Sequence, residues 1–330
     1  MLTYLTRRLL LGLLTIWAVS VISFVIIQLP PGDFVDTYVA KLESQGTAIG
    51  QREADAMRAQ YGLDDPMVVQ YVKWIFQVVQ GHYGQSLDYG QPVADIIGDR
   101  LALTMVVTIS AILFTWIVAL PIGIFSAVRQ YSLADYLFTF IGFIGLAIPN
   151  FLLALILMYV GFRYFGLSVG GLFSADYAQA PWSWGKLWDL LKHIPLPACV
   201  LALAGTAQLI RIMRANLLDE LRKPYVVAAR AKGIGATHVL VKYPVRAALN
   251  PFVSSSAYLF PYLVSGSIVV SLVLGLPTVG PLLLQALVAQ DMFLAGTIVL
   301  LLGVLTVIGT LVSDLLLMWV EPRIRLQGRA

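Results

Sequence analysis

Charge, cysteine and histidine are what this 330-residue chain has little of. Only 12% of its residues are Asp, Glu, Lys or Arg, while 59% are hydrophobic, against about 45–50% apolar in a soluble globular domain. That stock cannot cover a water-facing surface, so a bilayer must provide part of the surroundings. One cysteine, Cys199, lies in an apolar run; with no second thiol, an internal disulfide and a cysteine metal cluster are both excluded. It reads as a small buried hydrophobe. The three histidines, His82, His193 and His238, are too scattered for ligand spacing, and no metal site is indicated. A Gly-x-x-x-x-Gly-Lys-Ser/Thr phosphate loop is missing, as is a nucleophile beside a base, so no cofactor and no catalysis are expected of this polypeptide. The net charge of +4 is not gathered on one soluble domain, which argues against nucleic acid.

What is present is a series of apolar runs. A spanning helix needs about 20 such residues, and runs near 9–29, 104–128, 137–165, 195–213, 251–275 and 294–318 qualify. The chain is therefore expected to be an all-α membrane protein with six transmembrane helices. The first run is too long for the apolar part of a secretory signal and leads into Leu29-Pro30-Pro31-Gly32-Asp33 without a small-residue cleavage site, so it reads as retained. Pro149 and Pro261 fall within runs, where a missing N–H favours a bend.

Charge placement orients these spans. Arg7, Arg8, Arg129, eight bases from Arg211 to Arg246, and Arg323, Arg325 and Arg329 share one side, which the positive-inside rule makes the cytoplasm. Both termini lie there. The opposite side receives a large loop from 31 to 100, in which ten acids outnumber five bases. Within it, 52–61 and 67–79 read as helices, so a small folded cap is expected. A second outer segment, 168–195, carries Trp182, Trp184 and Trp188, which suit the membrane interface; contact with an external partner is the alternative. The chain thus divides into 1–30 (N-terminal end and first span), 31–100 (outer cap) and 101–330 (remaining spans).

The segment 214–250 is the most informative. Retention of positive charge inside the cell explains its bases but not their order. Pro224 can open a helix, Tyr225 to Lys232 continues it, Gly233-Ile234-Gly235 breaks it, and 236–243 can form a second short helix. A compact knob fit for a groove on another protein results. Elsewhere, Ser254, Tyr258, Tyr262 and Ser265 are spaced four, four and three apart and share one helix face; they either line a polar pathway or bond helix backbone. Arg163 near a helix end can snorkel. Asp314, within the last span, reads as structural, since a proton relay needs a second buried partner.

The run from Arg214 through Lys223-Pro224-Tyr225-Val226-Val227-Ala228-Ala229-Arg230-Ala231-Lys232-Gly233 resembles the Glu-Ala-Ala loop of binding-protein-dependent ABC permeases, dipeptide/oligopeptide branch. That branch has Asp before the tyrosine where this chain has Lys223-Pro224. Tyr61 to Pro66, Gly84-Gln85-Ser86, Leu276 to Gly280, Gln290-Asp291 and Glu321 to Arg325 are similar to its B-type subunit, so the likeness runs the length of the chain.

The resemblance implies the type I ABC importer permease fold and a place in the bacterial inner membrane. It implies a second homologous permease subunit in a heterodimer, two cytoplasmic ATP-binding subunits holding ATP and Mg²⁺, and an extracytoplasmic binding protein delivering short peptides. Tyr225, Ala228, Ala229, Arg230, Ala231, Lys232 and Gly233 would form the coupling helix, with Arg230 and Lys232 touching the ATPase or, alternatively, lipid headgroups. Oligosaccharide or another small solute is the alternative cargo. An ATP-independent secondary transporter is disfavoured by the lack of paired carboxylates within the spans and of internal repeats.

Overall fold

The computed structural model describes residues 2–29, 32–44, 50–166, 170–256 and 259–320. Among them the chain is helical, and the one extended pairing is an isolated bridge between Gln85 and Pro92. A long apolar helix, α1 (Leu2–Gln28), is followed by three short ones, α2 (Phe34–Ser44), α3 (Gln51–Tyr61) and α4 (Met67–Val79). Then come α5 (Val93–Val128), α6 (Leu133–Ala147) and α7 (Asn150–Phe165), the short α8 (Ala175–Ala178) and α9 (Trp184–His193), and the long α10 (Pro195–Leu221). The short α11 (Pro224–Ala231) and α12 (Ala236–Leu240) precede a π-helical turn, Val241–Val245, that runs into α13 (Arg246–Ser256). The remaining helices are α14 (Leu259–Val273), α15 (Val279–Val288) and α16 (Met292–Val320).

Four helices are long and apolar enough to cross a membrane unaided, Thr6–Gln28, Val93–Val128, Pro195–Leu221 and Met292–Leu316. The run expected as one span over 137–165 is instead two helices, α6 and α7, meeting at 109°. Counting that pair as one span gives five. The cause is Pro149: proline excludes the helical conformation from the residue before it, so Ile148 turns extended at ψ 124° and α6 ends at Ala147. Pro149 is therefore the residue from which α7 starts, rather than a bend within a helix. The fifth expected span, 251–275, corresponds to α13 and α14, between which 257–258 lie outside the described residues. α5 begins eleven positions before its apolar run, at Val93 rather than 104, because backbone hydrogen bonding does not stop where charge begins.

The chain forms two compact units. One comprises Met105–Pro277 with Met1–Tyr4 and Ile308–Ala330; the other comprises Leu5–Thr104 and Thr278–Val307. The first is organised around α10, whose Val200, Leu201, Ala202, Leu209, Met213 and Leu217 are buried. Small residues let helices approach there, as in membrane bundles generally. A methyl group at Gly145 would meet Leu203 at 2.6 Å, and one at Gly123 would meet Met213 at 2.7 Å. Cys199 proves only half-buried. Trp182, Trp184 and Trp188 are exposed, and Lys186 sits 5.2 Å from the Trp182 ring centroid while donating to the Ala180 carbonyl at 2.6 Å. Lys186 is itself buried, its ammonium held by that carbonyl and by the ring faces of Trp182 and Phe173 as a cation–π contact.

In the second unit, the two helices expected at 52–61 and 67–79 are present as α3 and α4. Phe34, Val35, Ala54 and Leu87 form one apolar cluster, against which Phe293 packs. Phe24, Trp74 and Leu300 form another. The short helices 34–79 are thereby packed with α1 and the start of α16 rather than being a separate body.

Candidate functional site

The knob read from 224–243 is built as a helix, a glycine break and a second short helix. Lys223 takes an extended conformation and Pro224 fills the first helical position, where a missing N–H costs nothing. Three side chains pin this start. Tyr225 donates its hydroxyl to Glu220, and Lys223 pairs with the same carboxylate at 2.8 Å. Burial, reinforced by the Glu220 carboxylate, pushes the Tyr225 phenol up to about 12, so it stays protonated and keeps donating. The helix ends at Ala231, and the chain turns away at Gly233, whose φ of +74° is a left-handed conformation that side-chain-bearing residues avoid. Its N–H caps Arg230 at 2.9 Å.

The faces of α11 divide unevenly. Val226 and Ala229, three positions apart on one face, are buried with Val239 of α12, and Ile234 and Tyr243 pack against them. Tyr225, Val227, Ala228, Arg230, Ala231, Lys232 and Gly233 are exposed. Ala229, expected among the contact residues, thus belongs to the knob's own core. Lys232 closes α11 as its C-terminal cap. The second helix, expected to run from 236 to 243, ends at Leu240 and continues as the π turn, in which Pro244 cannot donate the regular helical bond.

Arg214, at the head of the same sequence run, donates to Asp135 at 2.9 Å. Asp135, 2% exposed, also accepts the Tyr131 N–H at 3.0 Å. This ties α10 to the turn before α6, a pairing that nothing in the sequence indicated. Of the residues expected to line a pathway, Ser254 is half-buried and Tyr262 exposed. Tyr258 lies outside the described residues, as do the side chains of Ser265 and Pro261. Glu321 to Arg325 and Pro31 are likewise outside them. No group of histidine, cysteine or acidic residues fit to hold a metal occurs among the described residues.

Two motifs quoted separately from the sequence meet in the second unit. Asp291 is fully buried and accepts from the Ser86 hydroxyl at 2.5 Å, from the Leu294 N–H at 3.1 Å and from the Asp88 N–H at 3.2 Å. It stands at the N-terminus of α16, where a carboxylate satisfies free N–H groups.

The profile described as binding-protein-dependent transport system inner membrane component matches residues 119–326, and the N-terminal profile of the same kind of component matches residues 1–108. A putative peptide permease protein of Brucella ovis is 35% identical over 327 residues, 98% of this chain and 99% of that protein. The oligopeptide transport system permease protein AppB of Bacillus subtilis is 35% identical over 326 residues, with the same coverage. The inner membrane ABC transporter permease protein YejB of Escherichia coli is 32% identical over 366 residues, 99% of each chain.

Proposed function

The chain belongs to the family of binding-protein-dependent transport system inner membrane components, and on that premise we propose that it forms half of the transmembrane pathway of an ATP-driven importer of short peptides. The cargo class follows the peptide and oligopeptide permeases that it matches over nearly its whole length. Two cytoplasmic ATP-binding subunits carry ATP and Mg²⁺, a second, homologous permease subunit completes the pathway, and an external binding protein delivers the peptide. In the full bilayer arrangement the α6–α7 pair and the α13–α14 pair each count as one span, making six. By the positive-inside rule the bases from Arg211 to Arg246 support a cytoplasmic knob and cytoplasmic termini, with the helices 34–79 outside. Ser254 and Tyr262 are the described residues of the hydroxyl set proposed to line the peptide's route.

The observation that carries this reading is α11. A short helix with its own apolar anchor, Val226 and Ala229, presents a contiguous exposed face that includes Arg230 and Lys232. Such a rigid projection transmits displacement of a docked subunit to α10 and α13 on either side of it. The test is mass spectrometry of the proteins that co-purify with the tagged chain from native membranes in mild detergent, followed by ATP hydrolysis of the complex. Recovery of a second permease chain and ATP-binding subunits is expected; a transport-competent chain without any ATPase would overturn the reading.

A further inference from the structure

Between α6 and α10 a groove of about 220 Å³ opens along the helices. Its apolar length is lined by Phe138, Gly142 and Leu146 of α6 and by Ala207 and Ile210 of α10, and Arg211 and Arg214 stand at one end. From Phe138 to Leu146 is eight residues, or about 12 Å of helix rise. The slot is open because Gly142 has no side chain to occupy it; a methyl group there would lie 3.4 Å from Ala207.

The charge at the arginine end is not balanced. Arg214 gives one N–H to Asp135, but its Nε is buried without a hydrogen-bond partner. Arg211 is exposed, and no ion pair to it occurs among the described residues. Two guanidinium groups against one carboxylate leave one positive charge where a spanning helix ends, and guanidinium forks suit phosphate oxygens.

We propose that this groove binds one anionic phospholipid, with an acyl chain along α6 and α10 and the phosphate on Arg211 and the exposed part of the Arg214 guanidinium. An apolar slot continuous with a basic end fits that amphiphile and no water-soluble ion, since inorganic phosphate would leave the slot unfilled. The lipid wedges against the Arg214–Asp135 tie and so steadies the root of the α11 knob. Basic pockets between membrane helices are a recurrent form of lipid recognition.

The test is native mass spectrometry of the full chain in its purified complex, titrated with phosphatidylglycerol against phosphatidylethanolamine. Wild type is expected to retain one phosphatidylglycerol that excess inorganic phosphate does not displace. Arg211→Gln removes the phosphate contact and should weaken that adduct about fivefold. Gly142→Leu fills the slot without altering charge and should abolish it, with assembly of the complex unchanged. Equal retention of both lipids by wild type, unchanged adducts in both variants, or displacement by inorganic phosphate would each overturn the proposal. So would cross-linking of Thr139→Cys to the second permease subunit, because a protein would then cover the groove.

Discussion

Ser86 donates its hydroxyl to the buried carboxylate of Asp291 at 2.5 Å, joining residues 205 positions apart. The bond closes the loop before α5 onto the start of α16. Both residues belong to one compact unit, so its integrity rests on a carboxylate that water does not reach.

Replacing Asp291 by Ala leaves the Ser86 hydroxyl and the Asp88 and Leu294 N–H groups without their acceptor. Each stranded buried donor costs on the order of 1–3 kcal/mol, so Asp291→Ala should lower the melting temperature clearly, and Ser86→Ala less. Melting of the detergent-solubilised complex measures both; an unchanged Asp291→Ala melting temperature contradicts the assignment.

Asp291 also carries a pH signature. Burial raises its pKa above the ordinary 3.8, against the opposing pull of the hydrogen bonds from Ser86, Leu294 and Asp88. The folded state therefore binds this proton more tightly than the unfolded one. That contribution is complete below about pH 4 and fades as pH rises through the folded pKa. Relative to Asp291→Asn, which does not titrate, wild type should lose stability across that interval, as melting curves at successive pH values would register.

Gly233→Val places a β-branched side chain at φ +74°, a conformation costing such residues roughly 1–2 kcal/mol or more. Nothing lies within 4 Å of the added Cβ, so the effect is on backbone shape alone. Insertion should be normal and uptake largely lost, while Gly233→Asn, which tolerates left-handed angles, should restore much of it. Normal uptake by the Val variant would sink the coupling assignment.

Val226 and Val227 are adjacent but differ in fate. Val226 is fully buried and Val227 is 59% exposed. Removing Val226 forfeits most of the 1.5–3 kcal/mol that burying a valine typically contributes, so Val226→Ala should make the knob protease-sensitive. Val227→Asp should leave it protected yet weaken recovery of the ATPase subunit. Limited proteolysis and co-purification separate the outcomes, and the reverse pattern would invert the faces assigned to α11.

Arg58 holds three carboxylates: Asp33 at 2.8 Å, Asp55 at 3.2 Å, and Asp36. Asp33 first, and then Asp36, hold its own pKa up against the opposing effect of burial. Asp36 and Asp55 are largely solvent-exposed, so each contact is screened and the network contributes about 1 kcal/mol. Arg58→Ala should speed proteolysis of the segment holding α2 and α3, more at low salt than at high. A rate that does not depend on salt would contradict an electrostatic clasp.

Much of the site was legible in the order of residues. Pro224 before an Ala-rich stretch and Gly233 after it mark the two ends of α11 within a residue, because proline and glycine act on the backbone locally. The inward face of α11 was not legible: Val226, Val227, Ala228 and Ala229 are all small and apolar, so no contrast marks which of them Val239 covers. The Asp135–Arg214 tie was hidden for another reason. Arg214 reads as one base among eight, and its partner stands 79 positions away.

By itself the sequence determined that this is a helical membrane protein, that the run at 137–165 is interrupted at Pro149, and where the knob lies, since hydropathy, proline and glycine act over a few residues. Only the tertiary structure decided that Arg214 meets Asp135, that Ala229 is inside the knob, and that Ser86 meets Asp291. Such features depend on how helices distant in sequence pack and which side chains they leave without water, and no local pattern encodes that.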